Sequence, residues 1–201
     1  MVEQKLSILG LMSGTSMDGL DCCLAEININ NNYILDFKII DSKTFHFDNV
    51  LIKKISSLVG SRNLKKINAL DLELGMIYRD LAIDFLGSKK VDLISTHGQT
   101  LRHQDCVESL QIGHPKYLSL HFNVPIIYNF RPKDILLGGT GAPFVPYLDW
   151  LIFKESKKNV ITINLGGISN ITYIPCSGNR KDVIGFDTGP GNMMINRAME
   201  V

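Results

Sequence analysis

The run "SILGLMSGTSMDGLDCCLAEI", Ser7 to Ile27, sets two apolar stretches on either side of a polar one. Both flanks are short apolar runs of the strand type, so the whole reads as a β-hairpin. A plain hairpin turn needs only two residues, such as Asn-Gly. The turn here, Ser13-Gly14-Thr15-Ser16-Met17-Asp18-Gly19, is longer and carries two glycines, three hydroxyls and a carboxylate. Glycine lets backbone approach a ligand closely, and successive N–H groups in such turns form anion-binding nests. Hydroxyls add donors, and an acid can hold a divalent cation that bridges phosphate oxygens. Ordinary loops use the same residues, so one such turn is weak evidence by itself.

Two further stretches share its composition: "LGGTGAP" (Leu137 to Pro143) and "FDTGPGN" (Phe186 to Asn192). Two of the three turns follow strand-like runs and carry an Asp, which shifts the reading toward phosphate. The common phosphate motifs fail by spelling. There is no G-x-x-x-x-G-K-[ST], and no G-x-G-x-x-G follows the first strand. A phosphate would have to be held by hairpin turns instead.

The rest of the chain alternates strands and helices, so the class is α/β. An Asn-rich turn at 28–32 leads into a third strand, "YILDFKIIDSKTFHF". Apolar spacing predicts helices over 48–58 and from Ile67 to Gly87. "VDLIST" and "VPIIYNF" read as buried-type strands, 131–146 as a Gly- and Pro-rich loop, and 147–153 as a short helix. "NVITINLGG" and "ISNITYIP" are two more strands, and "DVIGFDTGPGNMMINRAME" runs strand, polar turn, helix. That last helix is short where the sequence stops, so the expectation is a part of something longer.

With 201 residues, 45% hydrophobic and 20% charged, the chain can bury a core. A net charge of +1 gives no reason to expect nucleic acid or an anionic membrane as partner. No apolar run approaches the ~20 residues of a membrane helix. The N-terminal stretch "MVEQKLSILGLMSG" lacks the apolar core of a signal peptide. Cys22, Cys23, Cys106 and Cys176 show no C-x-x-C spacing and read as reduced thiols. The expected location is therefore the cytoplasm.

"GLMSGTSMDGLD" (Gly10 to Asp21), "STHGQTLRH" (Ser95 to His103), "LGGTGAPFVP" (Leu137 to Pro146), "INLGGISNITYI" (Ile163 to Ile174) and "GFDTGPGN" (Gly185 to Asn192) together resemble the motif series of the anhydro-N-acetylmuramic acid kinases. The resemblance runs in order over nearly the whole chain. It implies the two-lobed actin-like ATPase fold (ribonuclease H-like) of the actin, hexokinase and heat-shock-protein superfamily. The expected domains are residues 1–128, a first lobe with the phosphate hairpin, and 129–201, an incomplete second lobe. The implied reaction uses ATP and Mg²⁺ to open 1,6-anhydro-N-acetylmuramic acid with water and phosphorylate O6, in cell-wall recycling.

The same resemblance implies the site residues. Asp187 matches the family's catalytic aspartate, and a carboxylate base suits a water that must lose a proton as it attacks. Gly14, Thr15, Ser16, Met17, Asp18, Gly19, Leu20 and Asp21 would face the ATP phosphates, with Asp18 orienting Mg²⁺. Asn164, Gly166, Gly167, Gly189, Gly191 and Asn192 would join them. His97, Gln99, Arg131, Asp134, Gly138, Gly139, Thr140, Gly141 and Pro143 would contact the sugar. An Arg131–Asp134 ion pair that only shapes the loop is the competing reading for those two.

The pattern departs from the family at His114 and Asn129, where acids are common. It also lacks the adenosine-binding glycine-rich segment, since family members are about twice this length. The chain alone is therefore expected to show little or no kinase activity and to need a C-terminal half. The family tends to be a homodimer. An inactive remnant or sugar-binding module without turnover is the alternative.

Overall fold

The computed structural model describes residues 3–30, 33–176 and 178–199. These divide into two compact units, 1–138 and 139–201. The division falls C-terminal of the expected boundary after Tyr128, so the helix over 130–136 belongs to the first unit.

The first unit opens with three antiparallel strands: β1 (Glu3–Ser13), β2 (Gly19–Asn30) and β3 (Tyr33–His46). The expected Asn-rich turn at 28–32 lies partly outside the described residues, at Asn31 and Asn32. Asp48 caps α1 (Asn49–Ser56) by accepting the Leu51 N–H at 2.7 Å. Asn63 caps α2 (Leu64–Leu86) in the same way, through the Lys66 N–H. Ile67, Leu70, Leu74, Tyr78, Ala82 and Phe85 recur every three or four residues along α2 and are buried. The helix stops at Gly87.

β4 (Leu93–Gln104) then returns parallel to β1 on the edge away from β2. β5 (Glu108–Ile112) pairs antiparallel with β4, and α3 (Lys116–Phe122) follows. The short β6 (Ile126–Ile127) pairs parallel with β4, and α4 (Phe130–Leu136) closes the unit. The result is a mixed sheet in the order β3-β2-β1-β4-β5, with β6 also on β4. Leu9 and Leu11 on β1, Leu20, Cys22 and Leu24 on β2, and Ile94 and Leu101 on β4 meet α1 and α2 in one core. Burial pushes the Cys22 thiol up to about 12, so it behaves as a small apolar side chain.

Two readings are corrected here, and two elements were not read from the sequence. The strand expected over "VPIIYNF" shrinks to β6, because Phe130 already starts α4. The loop expected over 131–146 contains α4 and the first residues of α5. β5 and α3 were not legible as elements and occupy 108–122.

The second unit holds α5 (Val145–Phe153) and an antiparallel sheet of β7 (Val160–Leu165), β8 (Ile168–Ile174) and β9 (Ile184–Pro190), in that order. α6 (Asn192–Met199) ends the described chain. α5 covers the sheet face that carries Thr162, Thr172 and Gly185: Asp149 takes hydrogen bonds from both threonine hydroxyls, and Pro146 packs over Gly185. The opposite face carries Ile161, Ile163, Leu165 and Phe186, all exposed. No helix among the described residues is long and apolar enough to cross a membrane.

Candidate active site

The β1–β2 turn has an exposed tip on a buried base. Gly14 and Met17 close it with a backbone hydrogen bond of 3.1 Å. Thr15, Ser16 and Asp18 are exposed, and among the described residues their N–H groups donate to no protein acceptor. Three unspent amides around an exposed tip are what an anion nest offers. Asp18 Oδ1 accepts the Ser16 hydroxyl at 2.6 Å. Gly19 is fixed by packing, since a Cβ there would lie 2.5 Å from the Phe45 carbonyl oxygen. Leu20 points into the core and can offer only backbone, while the Asp21 carboxylate takes the Thr44 hydroxyl at 2.5 Å.

Gln99 supports this turn from below. It is fully buried, with Oε1 2.7 Å from the Ser13 hydroxyl and Nε2 donating to the Gly14 carbonyl at 3.1 Å. The Ser13 hydroxyl also lies 2.9 Å from the Gly19 carbonyl, so its single proton is shared between two acceptors. With both ends of its amide engaged, Gln99 holds the turn in place. Burial pushes the Tyr78 phenol up, against a lowering contact from Ser13.

His97 is separated from Gln99 by a bulge. Between the pairs Leu11–Thr96 and Ser13–Gln99, β4 advances three residues while β1 advances two. Gly98 takes up the difference with φ at 74°. The stretch expected after a strand therefore sits inside one. Arg131 Nε donates to His97 Nε2 at 2.7 Å, which leaves Nδ1 to donate to the Gly98 carbonyl at 2.7 Å. Burial holds the His97 imidazole below the ordinary histidine range, the Gly98 carbonyl opposes this, and Arg131 adds to it. Burial also lowers Arg131. A neutral His97 and a charged Arg131 thus hold each other, with Asp134 one turn further along α4. Next to them is a cavity of about 200 Å³ lined by Asp71, Thr96, His97, Gln111, His114 and Asn129, among others. Thr96 Oγ1 and Gln111 Oε1 are buried there without a protein partner.

In the second unit Asp187 lies on a strand, β9, which continues past it to Pro190. It is opposite Asn170 on β8, and it is exposed. Thr188 Oγ1 lies 3.0 Å from the Ser169 hydroxyl and 3.1 Å from its carbonyl. The β7–β8 turn is Gly166-Gly167, beside Asn164 at the end of β7. Its carbonyls accept the N–H groups of Gly191 and Asn192 at 2.9 and 2.8 Å, and Asn192 Nδ2 donates to the Leu165 carbonyl at 2.6 Å. The amides of Gly191 and Asn192 are therefore spent on holding α6 against the turn, whereas those of Gly166 and Gly167 meet no protein acceptor among the described residues. Gly189 opposes Ser169. Gly138 ends the first unit. Gly139, Thr140, Gly141 and Pro143 begin the second, where Thr140 bonds the Ala142 carbonyl.

The model of the family described as anhydro-N-acetylmuramic acid kinase matches residues 6–201. The chain belongs to this family. A protein of Francisella tularensis subsp. novicida named anhydro-N-acetylmuramic acid kinase is 40% identical over 100% of this chain and 56% of its own length. Relatives of the same name from Bacillus cereus (strain Q1) and Shewanella amazonensis are 35% and 38% identical, over 96% and 97% of this chain. The chain spans about half the length of these curated relatives.

Within the family frame, sequence reasoning missed three groups. Asp71 reaches Gly113 N–H from α2 at 2.8 Å, and Gln111 lies on the unread strand β5. Neither had a local signal. Asp149 had one, since it sits one turn from the Pro that starts α5, yet only the sheet contact shows what it holds.

Proposed function

We propose that this chain is the N-terminal portion of an anhydro-N-acetylmuramic acid kinase with an actin-like fold. The observation that carries the reading is the β1–β2 turn: three N–H groups without protein acceptors, beside an exposed carboxylate, in a member of a kinase family. The turn would receive ATP phosphate oxygens on the amides of Thr15, Ser16 and Asp18, and Gly166 and Gly167 offer the same chemistry in the second unit.

Mg²⁺ fits this donor set. No group of three His, Cys, Asp or Glu side chains that could hold a metal occurs among the described residues. Mg²⁺ bound to a nucleotide commonly needs only one or two carboxylates, with phosphates and waters completing the shell. Asp18 would hold it, directly or through water, and the ion would neutralise charge on the transferring phosphoryl group.

Asp187 would take the proton of a water that attacks the anomeric carbon of the anhydro sugar. The C1–O6 bond breaks as C1–O(water) forms, O6 takes the γ-phosphoryl group, and ADP leaves. Exposure of the Asp187 carboxylate supports this role, because a base needs access to its water. The Arg131–His97 pair and the polar cavity beside it would position the sugar, with Gly138 to Pro143 contributing backbone.

Two expectations test the reading. The chain by itself should release little or no phosphorylated sugar, and activity should appear when the remaining portion of a curated relative is added. In that mixture Asp187→Asn should lower the rate about 10²- to 10⁴-fold, without changing the fold. Near wild-type activity of the variant would contradict the assignment.

A further inference from the structure

Gln99 owes its position to an irregularity between two strands. β1 and β4 pair in parallel with Leu11 beside Thr96, and the same register carried on two residues would set Ser13 beside Gly98. The bulge sets Ser13 beside Gln99 instead, which brings a side chain under the β1–β2 turn. Only glycine suits position 98, where φ is 74° and a Cβ would lie 2.7 Å from the Ile112 carbonyl oxygen. Gln99 Nε2 lies 3.1 Å from the Gly14 carbonyl and 3.3 Å from the Thr100 carbonyl. Both carbonyls only accept, so the amide nitrogen must face them and Oε1 must face the Ser13 hydroxyl. Both amide protons and the oxygen of this buried side chain are spent.

The Gly14 carbonyl also accepts the Met17 N–H at 3.1 Å, so it is held by two donors. The Gly14–Thr15 peptide is trans, and a trans peptide directs its N–H opposite to its C=O. A carbonyl held toward the buried Gln99 amide therefore turns the Thr15 N–H outward, where it meets no protein acceptor among the described residues. Met17 holds a φ of 58°, a conformation that a non-glycine residue keeps only when its surroundings enforce it. We propose that Gln99 is a positioning residue for phosphate: it aims the Thr15 N–H and sets the anion affinity of the turn without touching the anion. The inference rests on the reading of the turn as a phosphate site. Without the Gln99 donor the peptide is free to rotate, although every group that meets the anion is still present.

The test titrates inorganic pyrophosphate into the full 201-residue chain and follows amides by nuclear magnetic resonance. In the wild type the amides of Thr15, Ser16 and Asp18 should shift together. Gln99→Met keeps the length and loses the donor, and should bind about tenfold more weakly at every pH, the scale of one lost hydrogen bond. Gln99→Glu should bind weakly at about pH 8 and approach wild-type affinity toward about pH 6, because burial raises the pKa of the new carboxyl. Once protonated, that carboxyl donates to the Gly14 carbonyl as the amide did. A glutamine that only stabilised the fold would leave the affinity of folded variants unchanged at every pH. One wild-type measurement is independent of whether the variants fold. The Gln99 side-chain amide protons should exchange with solvent at least about tenfold more slowly than those of the exposed Gln104. Wild-type affinity in Gln99→Met, or a Gln99 amide that exchanges like that of Gln104, overturns the proposal and leaves the turn a phosphate site. If no amide of the turn shifts in the wild type, the phosphate reading itself falls and takes this inference with it.

Discussion

β1 and β7 end at comparable turns and show the same alternation, yet they live in opposite surroundings. Leu11, two residues before the end of β1, is 2% exposed, while Ile163, two residues before the end of β7, is 65% exposed. The side chains are nearly interchangeable, so the difference lies in what covers them. α1 and α2 close the first unit over β1 and β2. In the second unit α5 covers one face of the sheet and leaves the other apolar and open. An apolar residue at the same distance from the turn is core in one unit and exposed in the other.

The sharpest way to break that comparison is a matched pair of truncations. Leu11→Ala should cost the first unit about 2–5 kcal/mol, the usual range for a buried leucine. Ile163→Ala should stay within about 0.5 kcal/mol, as exposed positions do. Urea unfolding of each variant checks both, and equal losses would mean that the face over Ile163 is covered in solution.

A smaller effect probes the first unit alone. Its His97 is held neutral by burial, with a folded pKa below the ordinary ~6.5, so the unfolded chain takes up a proton at a higher pH than the folded one. Stability should therefore fall as pH drops below about 6.5, by at most about 1.4 kcal/mol per pH unit, and level off below the folded pKa. His97→Gln should flatten that part of the profile, as read by urea midpoints from pH 7 to 5. An unchanged slope would show that another group titrates.

Much of this was legible in the sequence because the deciding patterns are local. The first hairpin shows as apolar runs around "SGTSMDG", and α2 as apolar residues every three or four positions. What escaped depends on distant partners or on residues with two uses. The bulge at His97-Gly98 exists only because β4 pairs with β1, about eighty residues earlier, and no local signal marks it. α4 was read as loop because of Pro132, but a proline in a helix's first turn lacks an N–H that would have no partner there anyway. The last residues of β9 were read as a turn from their Gly and Pro, yet Pro190 sits at the end of an edge strand, where a missing donor costs little. In the site, the hydroxyls and carboxylate of the turn could be named from sequence. The role of Gln99 as its buried support could not.

The most direct measurement of the contrast between the units uses their different probes. Trp150 is the only tryptophan and lies in the second unit, while α2, in the first, is the longest helix described. Urea unfolding of the chain alone, followed by Trp150 fluorescence and by circular dichroism at 222 nm, should give two transitions that do not coincide. Fluorescence should change first, at lower urea, because the second unit has an uncovered face. A single transition, coincident by both probes, would contradict the account.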